Sequence, residues 1–411
     1  MTVPPALRHP EFRALWSAGL ISDAGDWLLF VALPVVVYNL TGSALGTSLA
    51  FLVELTPGIL LAPLVGRLAD RWDRRRMLTA VTLLQAAALL PLLAVHGRAD
   101  LPIVYATILA QAALVSIFDP AKNALLPTLL PADDLVSANS LVGLNQNLGR
   151  LVGGPLGGLL LAAGGLRVIV LADLASYLVS AALISRLRPT GPATATSTDV
   201  PTSRGFWSVA RGRPIRAALV VTFIAQIAQG IFVVLFVLFV AQRLHGGSAE
   251  IGLLRGIQAV GAIAGGVVLG ALTRACSPAR LTAWAAFAFG IVELVLWNAP
   301  ALSTATGLYV ALFIVVGAPG VVLVTGIIGS LQRAGADHER GRIFGALGLA
   351  SNAGQAVGML AAGLLTAPLG LLTLLNAQAL LYLGAGVVAT CWMVDRVAAI
   401  TDHAVDALPG T

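Results

Sequence analysis

The sequence predicts an all-α membrane protein of twelve transmembrane helices arranged as two six-helix pseudo-repeats. Three observations predict it. Of 411 residues, 58% are hydrophobic and 11% charged, with a mean hydropathy of +0.90, whereas a soluble domain carries about 25% charged residues. Apolar runs long enough to cross a bilayer, about 20 residues each, recur along the whole chain. These runs fall into two sets of six on either side of one polar stretch. The composition excludes a soluble enzyme, a nucleic-acid reader and a disordered scaffold.

The expected spans are 14–40, 44–66, 77–95, 101–118, 136–163 and 167–185, then 217–240, 249–272, 281–298, 307–329, 343–366 and 370–393. They must be helices, because hydrocarbon offers no partner to backbone groups outside a helix or a closed barrel. A barrel requires alternating strands of about ten residues, and these runs do not alternate. The start, MTVPPALRHPEFRALW, lacks a short apolar run with a cleavage site, so no removable signal peptide is expected. Cys276 and Cys391 lie far apart, which leaves no disulfide framework and no CxxC metal site.

The basic residues set the orientation. With a cytoplasmic N-terminus, the inside loops collect 20 of the 25 Lys and Arg. The outside loops hold three, Arg98, Arg167 and Arg243, and Arg150 and Arg255 fall within spans. Both termini are then cytoplasmic. The net charge of +6 reflects topology and attraction to anionic membrane lipid, and no nucleic-acid partner is expected.

The polar stretch, residues 186–216, is rich in Pro, Thr, Ser and Arg and reads as a cytoplasmic linker between bundles at 1–185 and 217–411. The halves resemble each other. Gly66-Arg67-Leu68, ten residues before Arg76, recurs as Gly270-Ala271-Leu272, ten before Arg280, and the small-residue span 149–165 is similar to 354–370. Parallel repeats with a site near the midplane are a common architecture of secondary transporters.

Between spans two and three stands Gly66-Arg67-Leu68-Ala69-Asp70-Arg71-Trp72-Asp73-Arg74-Arg75-Arg76. It closely resembles the G-x-L-x-D-R-x-x-R-R loop of the major facilitator superfamily, and the resemblance covers essentially the whole chain. Three further segments resemble the branch with macrolide efflux pumps and enterobactin exporters. They are Ser22-Asp23-Ala24-Gly25-Asp26-Trp27, Pro120-Ala121-Lys122-Asn123-Ala124-Leu125-Leu126-Pro127 and Ala138-Asn139-Ser140-Leu141. Asn147-Leu148-Gly149-Arg150-Leu151-Val152-Gly153-Gly154-Pro155 resembles the antiporter G-P-x-x-G-G motif with its proline one place late.

The resemblance implies a multi-pass transporter of the prokaryotic cell membrane, acting as a monomer on small molecules and protons without a cofactor. It implies a gating latch at Gly66, Asp70, Arg71 and Arg75, with Gly153 and Pro155 in span five. For Arg74, Arg75 and Arg76 the alternative is topology alone; for Gly153 and Pro155 it is plain close packing.

Ionisable groups at membrane depth cost about 2.5–3.5 kcal/mol on insertion scales and mark functional candidates. Here they are Asp23, Asp26, Glu54, Arg150, Asp173, Arg255 and Glu293. Asp26 lies thirteen residues from Arg13, Glu54 thirteen from Arg67 and Arg150 twelve from Ala138. At 1.5 Å per residue these three share one depth, about 20 Å in. The expected proton-coupling set is therefore Asp26, Glu54, Asp23 and Arg150, with Arg150 pairing with the carboxylates. Asp173 and Glu293 are expected to be structural, and Arg255 to pair with Glu250. Trp27, Phe30, Asn145, Gln146, Gln226, Gln229, Gln258, Asn352 and Gln355 fit either an amphiphilic substrate cavity or interhelical hydrogen bonding.

All five His lie in loops or tails, and the one lysine, Lys122, is in no phosphate-loop context, which excludes His-based catalysis at depth and ATP-driven transport. No metal site is expected. The resulting expectation is a secondary active transporter, not an enzyme. Its predicted activity is proton-coupled export of lipophilic drugs by alternating access. The alternatives are a siderophore or metabolite exporter, a lipid flippase and an uptake symporter.

Overall fold

The computed structural model describes residues 4–61, 73–188, 212–335 and 339–394. Those residues are helical throughout, with short connections and no strand among them. Eleven α-helices run in order: α1 Pro10–Thr41, α2 Ala44–Leu60, α3 Arg74–Leu89, α4 Leu101–Leu129, α5 Leu135–Ser185, α6 Arg213–Arg243, α7 Ser248–Ala275, α8 Pro278–Asn298, α9 Thr306–Ala334, α10 Arg340–Leu369 and α11 Leu371–Ala389. Ten helical segments of the described residues are long and apolar enough to cross a membrane, and Ala44–Leu60 is a shorter apolar helix.

Local chemistry sets the ends. α1 stops at Gly42, which takes the left-handed conformation at φ 65° that glycine adopts without a Cβ clash. Ser43, Asp73 and Ser277 cap α2, α3 and α8, their side chains accepting the backbone N–H of Leu45, Arg76 and Arg280, a partner those first-turn donors otherwise lack. Gly370, at φ 84°, separates α10 from α11.

The expected gap between spans five and six falls where α5 breaks, at Gly165, φ 67° and ψ −168°. The bend needs only that residue, so no loop intervenes. α4, in contrast, runs on to Leu129, well past its expected end at 118. α6 begins at Arg213, so the last residues of the expected linker are helical; residues 189–211 lie outside the described residues.

The chain divides into two compact units, Met1–Asp199 with Val240–Ala259, and Val200–Phe239 with Val260–Thr411. In the first unit α1 packs mainly on α5, which also meets α3. Its apolar core has two layers. One gathers Phe12, Leu15, Leu78, Leu125 and Ile184; the other gathers Leu28, Leu33, Leu89, Val104, Ile169 and Tyr177. Between the layers, each helix carries polar residues: Asp23 and Asp26 on α1, Gln85 on α3, Gln111 on α4. In the second unit α8 packs on α9 and α11. Large apolar side chains such as Val267, Trp284 and Leu302 are exposed, the surface that a lipid-facing helix presents.

Candidate functional site

The polar layer of the first unit centres on one hydroxyl. Tyr177 Oη, on α5, donates to Asp26 Oδ1 at 2.5 Å. It also lies 3.4 Å from Gln111 Oε1 and accepts from Gln85 Nε2 at 3.5 Å. Gln111 Nε2 in turn donates to the Gln85 carbonyl at 2.9 Å. Four helices thus converge on a side chain 1% exposed. One turn earlier, Asp173 is fully buried; Ser176 Oγ donates to its Oδ1 at 2.9 Å, and Oδ2 has no partner among the described residues. Asp173 and Ser176 fill the space a side chain at Gly25 would take, which sets Asp173 against the backbone beside Asp26. Hydrocarbon cannot solvate these groups, so the network depends on its own partners.

Replacing Tyr177 by Phe keeps the ring and removes the shared hydroxyl. The expected loss is about 1–3 kcal/mol, because buried partners are left unsatisfied. Thermal melting of the purified variant measures it.

Small residues let α5 reach both neighbours. Gly149 and Gly157 approach α1 backbone at Asp23 and Leu28, where an added Cβ would sit 3.0 Å from Asp23 C and from Leu28 Cα. Gly153 meets Ala24 and Trp27. Gly154 and Gly158 face α7 instead, at Gly252 and Gly256, and the Pro155 ring lies against Gly256. Close backbone approach through small residues is a recurrent way to join helices in hydrocarbon. Gly153 and Pro155 both make close contacts of this kind.

That approach carries Arg150 to α7. Its Nε donates to the Arg255 carbonyl at 3.1 Å, and its Nη2 donates to Gln258 Oε1. The guanidinium carbon lies 5.5 Å from the Trp27 ring centroid, and that of Arg255 lies 5.3 Å from Phe30. Trp27 and Phe30 meet edge to face at 4.7 Å. Guanidinium over an aromatic face is a favourable contact.

The expected pairing of Arg150 with Asp26 is therefore not present. Asp26 bonds Tyr177, and Arg150 binds α7. Both stand at similar depth, but depth does not fix direction around α1. Asp26 and Trp27, adjacent in sequence, point about 100° apart, one to Tyr177 and the other under Arg150. Glu54 is exposed and Asp23 is half-buried. Glu250, the partner expected for Arg255, accepts the Gly247 N–H at 2.7 Å.

Other candidates fall as follows. Asn145 is 3% exposed and donates to the Trp16 carbonyl at 2.9 Å, a bracket between α5 and α1; Gln146 is exposed. In the second unit Gln229 accepts from Tyr382 at 3.4 Å, Gln226 packs on Gly354, and Asn352 and Gln355 are half-buried. Also in that unit, Glu293 accepts from Gln378 at 2.5 Å, whose Oε1 accepts from Trp297 at 3.0 Å. Of the expected latch, Gly66, Asp70 and Arg71 lie outside the described residues. Arg75 donates to the Leu187 carbonyl at 2.9 Å, so it ties α3 to the end of α5. The residues missed in the sequence are Tyr177, Gln85 and Gln111. A usable signal existed, because Asp173 and Tyr177 are four apart on one face of an apolar helix.

Residues 2–410 match the family described as transmembrane secretion effector, MFS_3. The chain belongs to the major facilitator superfamily. This is a family of transporters, and the chain is a multi-pass membrane protein that is not an enzyme. It is 28% identical to the multidrug efflux pump Tap of Mycolicibacterium fortuitum, over 93% of this chain and 95% of Tap. Macrolide efflux protein A of Streptococcus pyogenes is 25% identical over 43% of this chain, and the enterobactin exporter EntS of Shigella boydii 32% over 38%. These two matches span only 44% and 38% of the relatives' own lengths. The branch resemblance read from the sequence is thus borne out. Among solved structures, a bacterial homologue of the iron transporter ferroportin in an inward-facing state shares the fold. Its TM-score is 0.77 at 20% identity, covering 93% of this chain and 98% of that one.

Proposed function

We propose that this transporter exports lipophilic small molecules across the cytoplasmic membrane against an inward proton flow, by alternating access, with Asp26 as the proton carrier. The observation that carries the reading is the Asp26–Tyr177 centre: a carboxyl at membrane depth held by a neutral hydroxyl, with no cation within ion-pair distance among the described residues. Such a group exchanges a proton without breaking an ion pair, and intramembrane carboxyls mark proton paths. The near full-length similarity to Tap supports the drug class.

In this reading the chain crosses the membrane twelve times, α5 twice through its bend at Gly165, with both termini cytoplasmic and bundles at 1–185 and 217–411. Recurring internal geometry supports the repeat. Gly354 and Gly358 pack on α6 as Gly149 and Gly153 pack on α1, each 205 places later. Tyr382 likewise meets Gln229 as Tyr177 meets Asp26. The carboxyl has become an amide in the second half, which leaves Asp26 as the proton-bearing member. In this reading Gly66, Asp70 and Arg71 serve as the latch, because a carboxylate is favoured beside the partial positive charge of a helix N-terminus.

Expression in a drug-sensitive bacterial host tests the reading. Cells making the protein are expected to accumulate less of a lipophilic dye than control cells, and a protonophore is expected to erase the difference. A difference that survives the protonophore contradicts proton coupling.

A further inference from the structure

Arg150 holds a positive charge that Asp26 does not use. Among the described residues no carboxylate lies within ion-pair distance of Arg150. Its contacts are a backbone carbonyl, an amide oxygen and the Trp27 face. A guanidinium carries five N–H donors, and these contacts engage two of them. Arginine only donates, so it must face Oε1 of Gln258. The amide Nε2 is thereby fixed on the other side as a donor. Gln258 is 4% exposed, and its Nε2 has no partner among the described residues. A buried donor left unmade costs free energy that a bound acceptor recovers. Trp27 and Phe30 provide aromatic faces next to these donors. All of these residues belong to the first unit.

We infer that Arg150 and Gln258 form the oxyanion-binding end of a substrate site, which takes lipophilic aromatic compounds bearing a carboxylate. Trp27 and Phe30 receive the ring. This deepens the proposed export function by naming the substrate class, and it rests on that reading for its physiological meaning. The favoured substrates are anionic amphiphiles, and uncharged analogues bind less tightly.

The test is equilibrium binding of 1-pyrenebutyrate and its uncharged counterpart 1-pyrenebutanol to the purified full chain, read by quenching of tryptophan emission. The wild type is expected to prefer the acid by at least about tenfold, the strength of a charge-assisted contact in a dry site. Arg150→Gln is expected to bring the two probes within about twofold of each other by weakening the acid alone. Gln258→Glu keeps an oxygen for Arg150 but supplies an internal counter-charge, and the same loss of preference is expected. If Arg150→Gln does not fold, Gln258→Glu decides. Equal affinities in the wild type overturn the inference. So does a preference that persists in either folded variant, or a variant that weakens acid and alcohol alike, which marks the cluster as a bracket between α5 and α7. Loss of protonophore-sensitive dye export with the acid preference intact would instead refute the proton-coupled drug reading and leave the anion site standing.

Discussion

Asp26→Asn is expected to abolish export driven by a pH gradient while substrate affinity stays within about tenfold of the parent. Asparagine is nearly isosteric and keeps an oxygen that accepts the Tyr177 hydroxyl, now at 2.5 Å from Asp26. The four-helix network is therefore expected to survive. What disappears is the exchangeable proton. The check pairs thermal melting with transport in the same preparation. A variant that melts like the parent and still concentrates substrate refutes the carrier assignment, and one that fails to fold shows Asp26 to be structural.

Gly153→Leu is expected to be the most damaging packing change. A Cβ there would meet the Ala24 carbonyl and lie 2.7 Å from Trp27 Cβ. The obstacle is α1 backbone, which cannot rotate away as a flexible side chain can. Overpacking of this kind costs about 3 kcal/mol where the backbone must move. Gly348→Leu is the matched control, since nothing lies within 4 Å of a Cβ at that position; its expected effect is within about 0.5 kcal/mol. Melting temperatures and membrane yields of the pair measure the difference. Equal behaviour contradicts the close α1–α5 crossing.

Much of the fold was legible because hydrocarbon leaves few options. Long apolar runs must be helices, and most described helices fall where the runs do. The break between spans five and six was legible as the gap at 164–166; that one glycine at φ 67° makes it was not, because nothing in its neighbours distinguishes such a glycine from a packing one. Asp26 and Arg150 were both legible as costly charges at depth. Their partners were not, because residue spacing gives height along a helix while pairing depends on rotation about its axis. Asp26 turns towards Tyr177, and Arg150 reaches across to α7 because Gly154 and Gly158 bring the two helices together. Asp173 was read as structural from its span and its place near the external end; its burial beside Gly25, next to Asp26, emerges only in three dimensions.

The most direct measurement of the central claim uses purified protein in proteoliposomes with an imposed pH gradient and a lipophilic dye that the protein carries. The account predicts that dye moves up its own gradient and that proton flux in the opposite direction rises when dye is added, with both absent in Asp26→Asn. Dye movement that only follows its own gradient, with no substrate-dependent proton flux, would contradict it.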